Sequence, residues 1–161
     1  HDILDFTTYN GRLYTIDKTS NQIVRHGAAG NGFDGGVNWL SQAFDVSNII
    51  GMGIDTNIWV MDATGRISKL NKGRRIDFAQ PTIDPALESP TQFFTDDQTN
   101  FLYILEPANR RIVVLNKEGN LETQYFSERF DNLKNFFVSE REKKIYLING
   151  NSLFTVPLTH L

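Results

Sequence analysis

Cysteine is absent from the 161 residues, which rules out disulfides, a thiolate nucleophile and thiolate metal ligands. The absence is compatible with an extracytoplasmic location and equally with a cytosolic one. Histidine is scarce: His1, His26 and His160 share no ligand spacing, and two of them are terminal, so neither a zinc site nor a catalytic histidine is expected. No apolar run reaches the ~18 residues that a membrane span needs. Positive charge is not in excess. Lys and Arg number 16 against 19 Asp and Glu, the net charge is -3, and the densest basic stretch, Lys72-Gly73-Arg74-Arg75, reads as a turn. Nothing here makes the basic field that nucleic acid or an anionic membrane would require. Nucleotide-binding glycine fingerprints, a Walker loop and a Gly-x-Ser-x-Gly elbow are also missing. No cofactor is expected. The chain opens on His1 without a leader peptide and reads as an excised or processed piece.

What is present is a repeat. Leu13-Tyr14-Thr15-Ile16-Asp17, Ile58-Trp59-Val60-Met61-Asp62, Leu102-Tyr103-Ile104-Leu105-Glu106 and Ile145-Tyr146-Leu147-Ile148-Asn149 share one pattern. Each runs aliphatic, aromatic, β-former, aliphatic, then an acid or its amide. The aromatic positions step by 45, 44 and 43 residues. A near-constant period of that size marks repeated supersecondary units, and with turns every 8–12 residues the units are all-β. The period is that of a β-propeller blade. The predicted fold is a propeller segment of about four four-stranded antiparallel blades, with WD40-like architecture, over approximately 2–40, 44–80, 90–127 and 133–158. The whole of 1–161 is one such segment.

Fifteen strands are predicted. Ile3–Tyr9, Arg12–Asp17, Gln22–His26 and Val37–Leu40 form the first unit, with a hairpin turn at Asn10-Gly11. Asn48–Ile54, Ile58–Asp62, Arg66–Leu70 and Arg75–Ala79 form the second. Pro81, Pro85 and Pro90 then mark a long connection, because proline cannot donate to a sheet ladder. The third unit is Gln92–Thr95, Phe101–Glu106, Arg111–Asn116 and Leu121–Phe126. The fourth is Asn135–Val138, Lys144–Ile148 and Ser152–Val156, without an outer strand. An amphipathic helix over Leu133–Ile148 is the competing reading, since Leu133, Phe136, Phe137 and Glu140 have helical spacing. The alignment of Phe136-Phe137-Val138 with Phe93-Phe94-Thr95 favours strands.

Glu106-Pro107-Ala108-Asn109-Arg110-Arg111-Ile112 through Gly119-Asn120-Leu121 resembles the NHL-type and related bacterial propeller repeats: an acid, a short turn with Asn, Arg-Ile, a β run and a Gly-Asn turn. Asp17 to Val24 and Asp62 to Leu70 are weaker copies, and Asn149 to Phe154 keeps only Ser152-Leu153. The chain also resembles propeller regions attached to phosphatase-like domains in uncultivated bacterial lineages. The resemblance implies a ring that closes with six or so blades. In physical terms, Asp17, Asp62, Glu106 and Asn149 can accept backbone N–H bonds in the turns that follow. The Arg or Gln that opens the next strand can lay its stem on a neighbouring blade. Tyr14, Trp59, Tyr103 and Tyr146 are expected to pack blade against blade. A metal site on the four acids would need them close together, and one per blade sets them apart.

Functional candidates are few. Gly27 to Gly36 is glycine-rich, but the strand-like Val37 follows where a phosphate cradle needs a helix, so a flexible connection is expected. Asp96 to Asn100 carries oxygen ligands suited to calcium without the full loop pattern, and reads as a solvated hairpin. The innermost strands align Asp5, Ile50, Gln92 and Asn135. Three polar groups at one level of a central channel, Asp5, Gln92 and Asn135, can hold water or a small polar ligand. Propeller lactonases place a metal among Glu, Asn and Asp in such a channel. Here one position is Ile50 and one carboxylate remains, so water is favoured and neither a catalytic residue nor a metal ligand is assigned. The long loops Gly30–Trp39 and Thr82–Ser89 are expected to cluster on adjacent blades. Trp39 is a candidate interface anchor, with a place in the core as the preferred reading.

Four blades less a strand leave two sheet faces open, which invites association. Three closures are possible: more blades from a longer chain, which is preferred; a four-bladed ring; or two copies meeting as eight blades. The functional expectation is a non-catalytic binding or scaffolding module for a protein or small polar ligand. The alternatives are a hydrolase or lactonase working at the channel mouth and a self-associating structural repeat.

Overall fold

A computed structural model describes residues 2–161, and every regular element in them is a strand. The first sheet has the order β1 (Ile3–Tyr9), β2 (Arg12–Asp17), β3 (Gln22–His26), then, past the small hairpin β4 (Ala28–Ala29) and β5 (Gly32–Phe33), β6 (Val37–Asn38). The second is β7 (Ile49–Ile54), β8 (Ile58–Asp62), β9 (Ile67–Asn71) and β10 (Arg74–Ile76). The third is β11 (Gln92–Phe94), β12 (Phe101–Glu106), β13 (Arg111–Asn116) and β14 (Leu121–Phe126). The fourth stops at three strands, β15 (Leu133–Ser139), β16 (Lys144–Asn149) and β17 (Ser152–Pro157). All pairings within the sheets are antiparallel meanders. The helical alternative for Leu133–Ile148 is overturned: β15 and β16 pair from Ser139↔Lys144 to Leu133↔Asn149.

Alternation along each strand explains how the sheets stack. In β8, Ile58 and Val60 pack towards the first sheet, whereas Trp59 and Met61 pack towards the third. In β12, Leu102 and Ile104 face back to the second sheet, whereas Tyr103 and Leu105 face the fourth. A strand buried on both faces must be apolar along its length, and β8 and β12 are until their last residues, Asp62 and Glu106. Tyr14, Trp59 and Tyr103 therefore each point into the following blade. The innermost strands touch in sequence, β1 to β7, β7 to β11 and β11 to β15, as propeller blades do around an axis. Two glycines permit the second of these approaches. A Cβ on Gly53 would stand 2.2 Å from the Thr95 carbonyl oxygen, and one on Gly51 would stand 2.8 Å from the Phe93 Cβ.

The two terminal blades differ from the interior ones on their outward faces. Phe6, Met52, Phe93 and Phe136 are equivalent, because each lies opposite the middle position of its second strand (Thr15, Val60, Ile104 and Leu147). Phe93 and Phe136 are each 7% exposed, whereas Phe6 is 68% exposed. At the other end Phe137, which pairs with Tyr146 as Phe94 pairs with Tyr103, is 53% exposed. Ile148 and Leu153 share its face and are also exposed.

Three local expectations change. The Gly27–Gly36 connection is built rather than slack: the Asp34 carboxylate accepts the Gly27 and Gly36 N–H groups, each at 2.9 Å, around the β4–β5 hairpin. That loop and the proline-bearing connection do not cluster. The first leaves the sheet at the β1–β2 hairpin end; the second leaves from the opposite end, where Gln80 bonds Ile67. The acids also act differently. Asp17 and Asp62 do accept from the turns after them, Thr19 N at 3.0 Å and Thr64 N at 2.9 Å. Glu106 and Asn149 instead hold the chain entering their own blade, through Glu88 N and Asn132 N. Glu106 also forms a buried ion pair with Arg111, whose guanidinium reaches the Pro85 and Ala86 carbonyls.

Candidate functional site

The channel residues come first. Hydrogen-bond register, rather than sequence alignment, sets their levels. Asp5 lies opposite Ile16, Gln92 opposite Leu105 and Asn135 opposite Ile148, while the second blade puts Gly51 opposite Met61. The expected fourth member, Ile50, is the extra residue of a bulge between Ile49 and Gly51. Leu4 and Lys134 occupy the matching irregularities in β1 and β15. The four-position ring read from sequence is thus one residue out in the second blade.

Asp5 and Gln92 make equivalent contacts. Asp5 Oδ2 accepts the Met52 N–H of the next blade at 2.7 Å, and Gln92 Oε1 accepts the Phe136 N–H of the next blade at 3.2 Å. Gly51 has no side chain to do the same towards Phe93. Asn135 is exposed and would aim at a blade that follows the fourth. Asp5 also accepts the Phe6 N–H at 2.8 Å. Burial raises its pKa despite these two bonds, which pull the other way. Asp5, Ile50, Gly51, Gln92 and Phe93 share a cavity of about 120 Å³ that leaves Asn135 out. Among the described residues no three His, Cys, Asp or Glu converge as a metal would need.

More chemistry lies between blades, at the end of the sheets where β1–β2, β7–β8, β11–β12 and β15–β16 turn. The three clefts there are equivalent in the repeat and unlike in content. Between the second and third blades, Lys117 Nζ reaches back to Asp55 Oδ2 at 2.9 Å and to the Thr99 carbonyl at 2.6 Å. Trp59 Nε1 donates to the same Asp55 carboxylate at 3.0 Å, and its ring meets Phe78 edge-on at 5.3 Å. Burial would raise the Asp55 pKa, but the Asn57 N–H, Lys117 and Trp59 outweigh it and hold the carboxyl below its ordinary range. This cleft is filled.

Between the third and fourth blades Glu140 collects donors. Its carboxylate accepts Asn100 N at 2.9 Å, Asn100 Nδ2 at 2.9 Å, Phe101 N at 3.2 Å and the Tyr103 hydroxyl at 2.9 Å. Burial, with the Glu140 carboxylate beside it, pushes the Tyr103 phenol well up. The chain after β17 folds back onto this cluster. His160 stands edge-on to Phe101 at 4.8 Å and its Nδ1 lies 2.7 Å from the Tyr125 hydroxyl, with Nε2 3.4 Å from that of Tyr103. Burial lowers the His160 pKa against the pull of Glu140. This cleft is filled too, by the tail.

The cleft between the first and second blades is open, with a volume of about 530 Å³. Tyr9, Tyr14, Trp39, Ile54 and Ile58 give it an apolar base; Arg25, Asn38, Asn57, Asn71 and Lys72 give it a polar rim. Trp39, flagged from the sequence, is half-buried against the first core cluster as well as lining this cleft. Arg25 lies beside Tyr14 on the face turned to the second blade, because the two are register partners. Sequence reading passed over Arg25 and took Lys72 only as part of a basic turn. Their signal was in the repeat: Asn71-Lys72-Gly73 matches Asn116-Lys117-Glu118-Gly119, but the first hairpin, Tyr9-Asn10-Gly11, has no acid where the second has Asp55.

No family model matches the sequence, and no curated protein matches it. Solved structures do. The nidogen structure in a nidogen/laminin complex superposes with a TM-score of 0.63 at 15% identity, covering 87% of this chain and 56% of that one. Virginiamycin B lyase from Staphylococcus aureus gives 0.55 at 15% identity, over 98% of this chain and 56% of the lyase. A gluconolactonase from Xanthomonas campestris gives 0.63 at 12% identity, over 96% and 56%. The likeness is one of fold, and with the four stacked antiparallel sheets it establishes a β-propeller architecture. The chain spans about half the length of these structures.

Proposed function

We propose that the chain is a non-catalytic binding or scaffolding module of the β-propeller type, forming part of a larger ring. The observation that carries this reading is the engagement of the channel-level polar groups. Asp5 and Gln92 hold the next blade's backbone at Met52 and Phe136 rather than presenting free ligands to the channel. An enzyme of lactonase type needs side chains at that level directed at substrate or metal. The exposed Phe6 and Phe137, at positions buried inside the stack, support further blades on both sides. The NHL-type pattern at Glu106 to Leu121 supports the same ring. Fold likeness alone would not decide the matter, since the same architecture hosts binding proteins and enzymes.

The test is a turnover assay with aldonolactones and divalent metals, run beside a mass measurement in solution. No lactone hydrolysis is expected above background. Hydrolysis abolished by Asp5→Asn or Gln92→Leu would replace this reading with the enzyme. A stable dimer that Phe6→Ser converts to monomer would favour the self-associating repeat instead.

A further inference from the structure

We propose that the open cleft between the first and second blades binds an acidic saccharide, with Tyr9, Tyr14 and Trp39 against the pyranose ring and Arg25 and Lys72 on its carboxylate. The inference deepens the binding-module reading and rests on it.

The lining supplies what that ligand requires. Sugar rings present C–H faces, and aromatic side chains with an apolar body and a polar tip suit them. Tyr14 is buried at the base of the cleft, with Tyr9 and Trp39 half-buried beside it. Ring hydroxyls are at once donors and acceptors, and the amides of Asn38, Asn57 and Asn71 are too. Asn71 Nδ2 donates to Asn57 Oδ1 at 2.9 Å, which orients that pair along the rim. The charge is one-sided. Arg25 and Lys72 line the cleft and no carboxylate does. Among the described residues neither side chain has an ion-pair partner. A forked guanidinium matches a carboxylate in two bonds.

The two sister clefts show why this one is available. Lys117, the counterpart of Lys72, is neutralised by Asp55 in the preceding hairpin. Lys72 shares its cleft with the β1–β2 hairpin, where Tyr9 stands at the register position of Asp55 and Tyr9-Asn10-Gly11 carries no acid. The third cleft is occupied by His160 and the residues around it. One cleft of the three thus keeps both its volume and its cation.

The whole 161-residue chain should be titrated calorimetrically with trigalacturonate, with neutral maltotriose and with an acidic tripeptide. Saturable binding of trigalacturonate and none of maltotriose is expected. Arg25→Gln and Lys72→Asn should each weaken it at least tenfold. Lys72→Asn is chosen because Lys72 has φ +49 next to Gly73 at φ +79, a turn that asparagine suits, so folding should be kept and thermal unfolding would verify it. Trigalacturonate binding that is absent, or unchanged in both variants, overturns the proposal. Tripeptide binding alone, sensitive to both variants, also overturns the saccharide but leaves the binding module standing. Lactone turnover would defeat the module reading independently.

Discussion

The second and third blades meet through a closed interface, whereas the outward faces of the first and fourth blades leave equivalent positions exposed. Phe93 and Phe6 hold the same place in their blades, one buried and one 68% exposed. Tyr103 gives its hydroxyl to Glu140 of the next blade, while Tyr146, with no next blade described, bonds Glu142 of its own hairpin. The comparison teaches that the repeat specifies a face and not its burial. An aromatic at a fixed register position becomes core only where a neighbour arrives.

Truncation is the strongest way to break that comparison. Phe93→Ala should cost about 3–5 kcal/mol in unfolding free energy, the range for a buried phenylalanine. Phe6→Ala should stay within about 0.5 kcal/mol, as exposed substitutions do. Equal losses in urea unfolding would mean that the first blade's outward face is covered in solution. A smaller effect is expected where backbone meets backbone. Gly53→Ala places a Cβ against the Thr95 carbonyl, which cannot swing aside like a side chain, and overpacking of this kind costs about 1–3 kcal/mol. Gly11→Ala puts a methyl into open space; its cost is confined to the strained φ of +69. A loss at Gly53 no larger than that at Gly11 would argue against the close approach of β7 and β11.

The inter-blade clefts can be interconverted on the same logic. Asn10→Asp puts an acid into the β1–β2 hairpin, which has none, beside the register position that Asp55 occupies one blade later. The change in stability should be below about 1 kcal/mol, as for a partly exposed ion pair. The change in trigalacturonate affinity should be a clear loss, because Lys72 gains an internal partner. An affinity that stays the same would separate Lys72 from the ligand.

Much of the architecture was legible because it is periodic. Arg12–Asp17, Gln22–His26, Ile58–Asp62, Phe101–Glu106, Arg111–Asn116 and Leu121–Phe126 are strands over the bounds that their β-formers and turns predict. That Trp59 and Tyr103 pack between blades was legible in the repeat, whereas the blade each points into was not. Bulges were not legible. The bulge after Ile49 adds a residue without changing composition, so alignment put Ile50 where the ladder puts Gly51. The cleft was harder still to read. Tyr14, Arg25, Trp39 and Lys72 come from two strands, the residue after a third and one turn, across two blades, and only the fold brings them together. Asp34 escaped notice for another reason: a single side chain that accepts two N–H groups leaves no pattern in a glycine-rich loop.

The smallest expected effect concerns Asp5, which joins the first blade to the second as Gln92 joins the third to the fourth. Gln92 does so without charge. Asp5 does so as a half-buried carboxyl whose pKa is raised, so its ionised form is less at ease in the folded chain than in the unfolded one. The sign follows from proton linkage. The folded state binds the proton more tightly, so the contribution of Asp5 to stability is complete below its unfolded value near 3.8 and declines as pH rises through the higher folded value. Asp5→Asn keeps an oxygen for the Met52 N–H and removes the titration. Relative to the unmodified chain, the variant should therefore gain stability between about pH 3 and about pH 7. Urea unfolding at the two ends of that range measures it. A variant that loses ground as pH rises would show that the carboxylate charge itself strengthens the bond between the blades, and would make Asp5 and Gln92 unlike in kind.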